Sequence, residues 1–228
     1  MLEQTEMPKH GSLEMAVVLA PAQSGRHSWS GGPASPGGLA TYIISHYPVH
    51  LIDVVRLDDG SRVIIRPTLP QDAELQRDFF RTLSAESRYG RFMTPLKELP
   101  ENMTQRFASI DYRSHLALLA EVFVGGRQTM IGEARYIVDA CDSTACEFAI
   151  AIADVWQVHG LARILLDRLE RQAAASGIRR MVADTLRANR AMIGLAAQAG
   201  YAVKANREDA MLARLEKCLA LSAAPLPS

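Results

Sequence analysis

Cysteine is scarce in this chain of 228 residues: Cys141, Cys146 and Cys218 make an odd number, with no Cys-x-x-Cys pair. Neither a disulfide framework nor a zinc site is expected from them, and reduced thiols in the cytoplasm fit that usage. Net charge is absent as well, because 25 basic residues cancel 25 acidic ones. That balance argues against nucleic acid or an anionic membrane as the partner. No apolar run approaches the roughly 20 residues of a membrane span. Residues 15–22 are apolar, but the stretch is short, follows Glu14 and contains a proline, so it makes a poor signal sequence.

Residues 1–48 mix small and polar types, and the Gly/Ser/Pro-rich stretch 24–38 has no hydrophobic period. A disordered N-terminal tail is expected there, one domain over 49–218, and a short C-terminal tail over 219–228. The glycines of the tail form no phosphate loop, since no Gly-Lys-(Ser/Thr) follows them. From Val54 the texture becomes that of strands turning at Asp58-Asp59-Gly60. Thr68-Leu69-Pro70-Gln71 reads as a capping box opening a helix whose Ala73, Phe79, Phe80 and Leu83 face inward. Short helices over 86–93 and 100–109 follow, then three consecutive strands over 116–124, 130–138 and 145–153. Leu212, Leu215 and Leu219 have helical spacing near the C-terminus.

What is present in abundance of meaning is Gln157-Val158-His159-Gly160-Leu161-Ala162, set between the strand-like run 148–152 and the amphipathic run 161–173. A glycine-bearing turn between strand and helix aims several N–H groups at one point, backed by the positive end of the helix dipole. That geometry suits a pyrophosphate. Leu161, Ile164, Leu165 and Leu169 recur at helical spacing, a break follows at Gly177, and a second strand is expected over 181–185.

The pattern Gln-x-x-Gly-x-Ala resembles the (Gln/Arg)-x-x-Gly-x-(Gly/Ala) signature of the GCN5-related N-acetyltransferases (GNAT). The run from Asn189 to Gly200-Tyr201 is similar to the second motif of that family. Residues 59–67, 83–92 and 145–150 resemble, within it, the acetyltransferase domain of bacterial protein lysine acetyltransferases. The resemblance implies an α+β GNAT fold: a mixed, mostly antiparallel sheet flanked by helices and splayed at the acetyl-CoA site. It also implies a closing strand over 210–216, in place of a helix. By the same resemblance acetyl-CoA is the co-substrate, with pantetheine against the backbone of Ile152 and Ala153. The pyrophosphate would rest on the amides of Val158, His159, Gly160, Leu161, Ala162 and Arg163, behind Gln157. No metal is implied, and a homodimer is compatible.

In the strand over 147–153, alternation puts Glu147, Ala149, Ala151 and Ala153 on one face and Phe148, Ile150 and Ile152 on the other. The second face reads as core. The first offers a lone carboxylate above three methyl groups, a groove with room for a ligand and a setting that suits a general base. The resemblance gives Glu147 that role; the alternative is a surface or salt-bridged glutamate. Where the family carries an acidic tyrosine, this chain has Ala196. Asn189 is either a helix cap or a pantetheine ligand. His159 needs only its backbone N–H, Cys146 reads as a core thiol on the face opposite Glu147, and Arg88, Tyr89 and Arg91 read as a solvated helix face, the alternative being that they shape the acceptor channel. The acceptor is a protein lysine, with a small amine, a protein N-terminus or a non-catalytic acetyl-CoA sensor as rivals.

Overall fold

The computed structural model describes residues 47–108 and 110–220, so the expected tails lie almost wholly outside the described residues. An eight-stranded sheet in the order β1-β2-β3-β4-β5-β6-β8-β7 organises the chain. Its strands are β1 Asp53–Arg56, β2 Arg62–Pro67, β3 His115–Val124, β4 Arg127–Val138, β5 Ala145–Ile152, β6 Arg180–Leu186, β7 Ala202–Ala205 and β8 Leu212–Cys218. Among the described residues only β5 and β6 run parallel, and every other pairing is antiparallel.

Helices cover both faces. On one side lies α4, Leu161–Ala175, whose Leu161, Leu165, Leu166, Leu169 and Ala173 are buried on β3, β4 and β5. Each such leucine contributes about 1.5–3 kcal/mol of burial free energy. Beside it sits α5, Arg190–Gln198. On the other side α1 (Ala73–Thr82), α2 (Ala85–Phe92) and α3 (Glu101–Ala108) build two smaller cores around Phe79, Phe80 and Phe92. Being covered twice, β3 is buried from His115 to Val122 with no alternation.

Two local expectations need correction, and one strand was not foreseen. The turn before α1 is closed by Asp72, not by Thr68 and Gln71. Asp72 Oδ2 accepts the Leu69 N–H at 2.7 Å and holds Arg66 at 2.7 Å, while Thr68 Oγ1 is buried with no partner among the described residues. The Arg66 guanidinium at the end of β2 thus helps to fix the cap. The chain from 202 to 205 is also a strand, β7, that pairs with β8 along the sheet edge. All four of its residues are exposed, so it carries no alternating signal. Arg88 and Arg91, expected in solvent, fold inward from α2: Arg88 Nη1 donates to Lys97 O at 3.0 Å, and Arg91 lines a small internal cavity. Tyr89 between them is 39% exposed. The closing strand β8 does form, with Ala213 and Leu215 buried in alternation.

Candidate active site

The sheet opens between β5 and β6. Their pairing runs Ala145↔Arg180, Cys146↔Met181 and Glu147↔Val182 and stops there, although both strands continue. Parallel neighbours that diverge leave backbone groups unpaired on facing edges. Asp139 N donates to Ala145 O and Ala153 N donates to Ile131 O, which turns the odd-numbered backbone of β5 towards β4. By alternation the even-numbered residues Phe148, Ile150 and Ile152 turn theirs towards the opening. The Ala153 N–H, expected beside a pantetheine arm, is therefore spent on β4.

At the wide end of the opening stands the loop into α4. Gln157 Nε2 reaches back to Ile152 O at 3.2 Å and to Ser87 Oγ at 3.3 Å, holding the loop to β5 and to α2. Val158 lies at φ 62° and Gly160 at φ 81°. Left-handed residues interrupting the chain in this way turn successive N–H groups inward as an anion-binding nest. No backbone carbonyl among the described residues takes the N–H of Val158, His159 or Gly160. The N–H groups of Leu161, Ala162 and Arg163 open α4 and have no partner within the helix. A Cβ at Gly160 would lie 3.2 Å from Asp58 Oδ2, so the close approach of the β1–β2 turn also demands glycine there. His159 Nδ1 is 3.8 Å from Asp59 Oδ2 in that turn. This donor set, with a helix dipole behind it, fits the pyrophosphate of acetyl-CoA.

Across the opening Asn189 caps α5, its side chain accepting the Met192 N–H at 3.0 Å. A Cβ on Gly90 would lie 3.2 Å from Asn189 Nδ2, so the free end of this amide faces α2. Ala196 is fully buried in the core, and nothing at that position offers an acid.

Glu147, 9% exposed, occupies the last paired position of β5. Below it the face does not form the open groove expected of three alanines. Phe79 of α1 and Leu83 just beyond its end pack with Ala153, and Ala151 and Trp156 lean on the same cluster. Space opens at the Glu147 end instead, into a basin of about 510 Å³ bounded by Val182, Arg180, Arg214, Glu216 and Lys204. Nor is the carboxylate lone, because the positive charge of Arg91 acts on both Glu133 and Glu147.

Beside it, on β4, Arg135 grips Glu133 with two hydrogen bonds of 2.6 and 2.8 Å. The Phe107 ring lies 3.7 Å from the same guanidinium, and His115 Nε2 is 3.2 Å away. Gln76 of α1 donates to Glu133 at 3.0 Å. Burial by itself would raise the Glu133 carboxyl, but the charge and hydrogen bonds of Arg135 hold it below the ordinary carboxylate range. Cys146 points into the opposite core, where burial, reinforced by the neighbouring Glu147, pushes its thiol up to about 12. Sequence reasoning missed Glu133, Arg135 and Asp154; the only signal for the first two was a pair of charges within the otherwise apolar run 130–138.

Residues 77–201 match the family model described as the acetyltransferase (GNAT) family. An acetyltransferase of Pseudomonas aeruginosa is 36% identical over 126 residues, which is 55% of this chain and 67% of that protein. The GNAT domain of S. lividans PAT has the same fold with a TM-score of 0.70 at 32% identity, over 76% of this chain and 100% of that one. A phosphinothricin acetyltransferase from Sinorhizobium meliloti, solved in complex with AcCoA, shares the fold with a TM-score of 0.55 at 21% identity, over 73% of this chain and 93% of its own.

Proposed function

The chain belongs to the GNAT acetyltransferase family and is an acyltransferase using acetyl-CoA, and from that premise we propose that it acetylates protein lysine side chains with Glu147 as general base. One observation carries the proposal: Glu147 lies at the last paired residue of β5, where the opening between β5 and β6 meets the basin. A lysine ammonium of pKa about 10.4 is neutral in only about one molecule per few thousand at pH 7, so a base must take its proton. Glu147 is placed to accept that proton from an amine entering through the basin.

Acetyl-CoA supplies a thioester that the amine attacks directly, with the C–N bond forming as the C–S bond breaks. Val158, His159 and Gly160, with the first turn of α4, bind the pyrophosphate through backbone N–H groups, and Gln157 keeps that loop against β5. The backbone of Phe148, Ile150 and Ile152 lines the path of the pantetheine amides, and Asn189 borders it. With alanine at 196, the leaving thiolate takes its proton from water, which a thiol of pKa about 8.5 allows.

A basin of about 510 Å³ with both signs of charge on its walls suits a side chain presented by a polypeptide. So does the resemblance to protein lysine acetyltransferases in the chain itself. Incubation with acetyl-CoA and a host lysate, followed by mapping of new acetyl-lysines, tests the acceptor. Glu147→Gln tests the base. It is expected to lower kcat/KM by about 10²–10⁴ while acetyl-CoA affinity stays within a few fold, with partial recovery at higher pH as more amine arrives neutral. A wild-type rate in that variant at pH 7 rules Glu147 out.

A further inference from the structure

Resting on the reading that the pantetheine arm passes between β5 and β6, we infer that Gly90 is a positioning residue for acetyl-CoA: lacking a side chain, it seats α2 on the Asn189 amide and so fixes the height of the pantetheine path. Gly90 lies within α2 and outside the left-handed region, in a setting where glycine is less favourable than alanine. Its backbone therefore gives no reason for a glycine. Its surroundings do. A Cβ there would meet Asn189 Nδ2 at 3.2 Å and Asn189 Cγ at 3.9 Å, and no other described residue within 4 Å.

One turn of α2 touches both banks of the opening. Ser87 and Gly90, three residues apart, share a face of the helix. Ser87 Oγ lies 3.3 Å from Gln157 Nε2, and the same amide reaches Ile152 O at the end of β5 at 3.2 Å. Gly90 meets Asn189, whose backbone N–H donates to Leu186 O at the end of β6 at 2.9 Å. The helix also packs against both strands. Neither partner of the Gly90 contact gives way freely. Asn189 Oδ1 accepts the Met192 N–H at 3.0 Å, which fixes Nδ2 as the end turned to Gly90, and the start of α2 is bound to Asp154 through Ser84 and Ser87. A Cβ at position 90 therefore forces α2 and Asn189 apart by a few tenths of an ångström, across the opening itself. No acceptor among the described residues takes the Nδ2 protons, so the contact serves no hydrogen bond of the fold.

The test is a double-mutant cycle on Gly90→Ala and Asn189→Ser, the serine keeping the cap of α5 while withdrawing the amide. Calorimetry reads two ligands: acetyl-CoA, and 3′-phospho-ADP, which keeps the pyrophosphate but has no pantetheine. Gly90→Ala is expected to weaken acetyl-CoA by about three- to tenfold and to leave 3′-phospho-ADP within about twofold, at a Tm no lower than wild type. In the Asn189→Ser background the same substitution is expected to weaken acetyl-CoA by less than about twofold. An acetyl-CoA affinity unmoved by Gly90→Ala overturns the role of Gly90, as does an equal loss in both backgrounds or for both ligands. If Gly90→Ala is poorly folded, recovery of its Tm by the added Asn189→Ser reads the contact directly, and no recovery overturns it. In each of these cases the pantetheine reading stands while wild type holds acetyl-CoA more tightly than 3′-phospho-ADP. Equal affinity of wild type for the two ligands would show that the arm makes no contact in the opening, and would remove that reading and the role of Gly90 together.

Discussion

Asp154 and Ser84 are joined twice, the Asp154 carboxylate accepting both the Ser84 N–H and the Ser84 hydroxyl at 2.8 Å. Ser87 Oγ adds a third bond to the same carboxylate at 2.7 Å and lies 3.3 Å from Gln157 Nε2. Ser84 is itself the cap of α2, its Oγ accepting the Ser87 N–H at 3.0 Å. The start of α2 is thereby locked to the loop that leads into α4.

Replacing Asp154 by alanine should loosen both ends of that lock. Loss of cap-type hydrogen bonds costs about 1 kcal/mol, or a Tm lower by about 2–4 °C in a domain of this size. Acetyl-CoA affinity should weaken by a few fold. Partial burial works against ionisation of Asp154, yet the hydrogen bonds from Ser84 and Ser87 prevail and lower its pKa. A depressed carboxylate contributes stability above its unfolded pKa and loses it as pH falls through the folded value. The Tm gap between wild type and Asp154→Asn should therefore hold from neutrality down to about pH 4 and shrink progressively as the pH falls further. Melts across pH check this; a gap that widens in acid contradicts it.

Val158 carries the strain of the cradle. It is β-branched, 98% exposed and at φ 62°, a region such residues rarely enter. Its side chain adds little packing to offset a cost of about 1–3 kcal/mol. Val158→Asn, which tolerates this conformation, should raise Tm by a few degrees and leave acetyl-CoA affinity unchanged within a few fold, because the cradle uses backbone N–H groups. A lower Tm would show that the valine side chain packs on something essential.

Cys146 should be chemically silent. With its thiol pushed to about 12 by burial, only about one molecule in ten thousand is thiolate at pH 8. Alkylation of the folded protein at pH 8 should label the exposed Cys141 and Cys218 and spare Cys146. Cys146→Ala should keep kcat/KM within a few fold. An acetyl group trapped on Cys146 after single turnover would instead indicate a covalent route.

The strand, loop and helix around Gln157 were legible because every signal there is local. Alternation marks β5, helical spacing marks α4, and Gly160 marks the turn between them. The opposed faces of Glu147 and Cys146 follow from the same period of two. Strand β8 was legible only through family resemblance, since its leucines fit a helix equally well and its partners β6 and β7 lie elsewhere in the chain.

Charged residues were the blind spot. Arg91 on a polar helix face has the same local pattern whether it meets water or lines an internal cavity. Asp154 looks like any loop aspartate until its partner Ser84, 70 residues away, is in place. Asp72 likewise holds both Arg66 and the Leu69 N–H at the helix start, where Thr68 looked like the cap. By itself the sequence determined the strand, turn and helix around Gly160, their order, and the candidate base. Tertiary structure alone decided which charges were desolvated together, because a charge leaves water only when a distant segment of the chain brings its counter-charge.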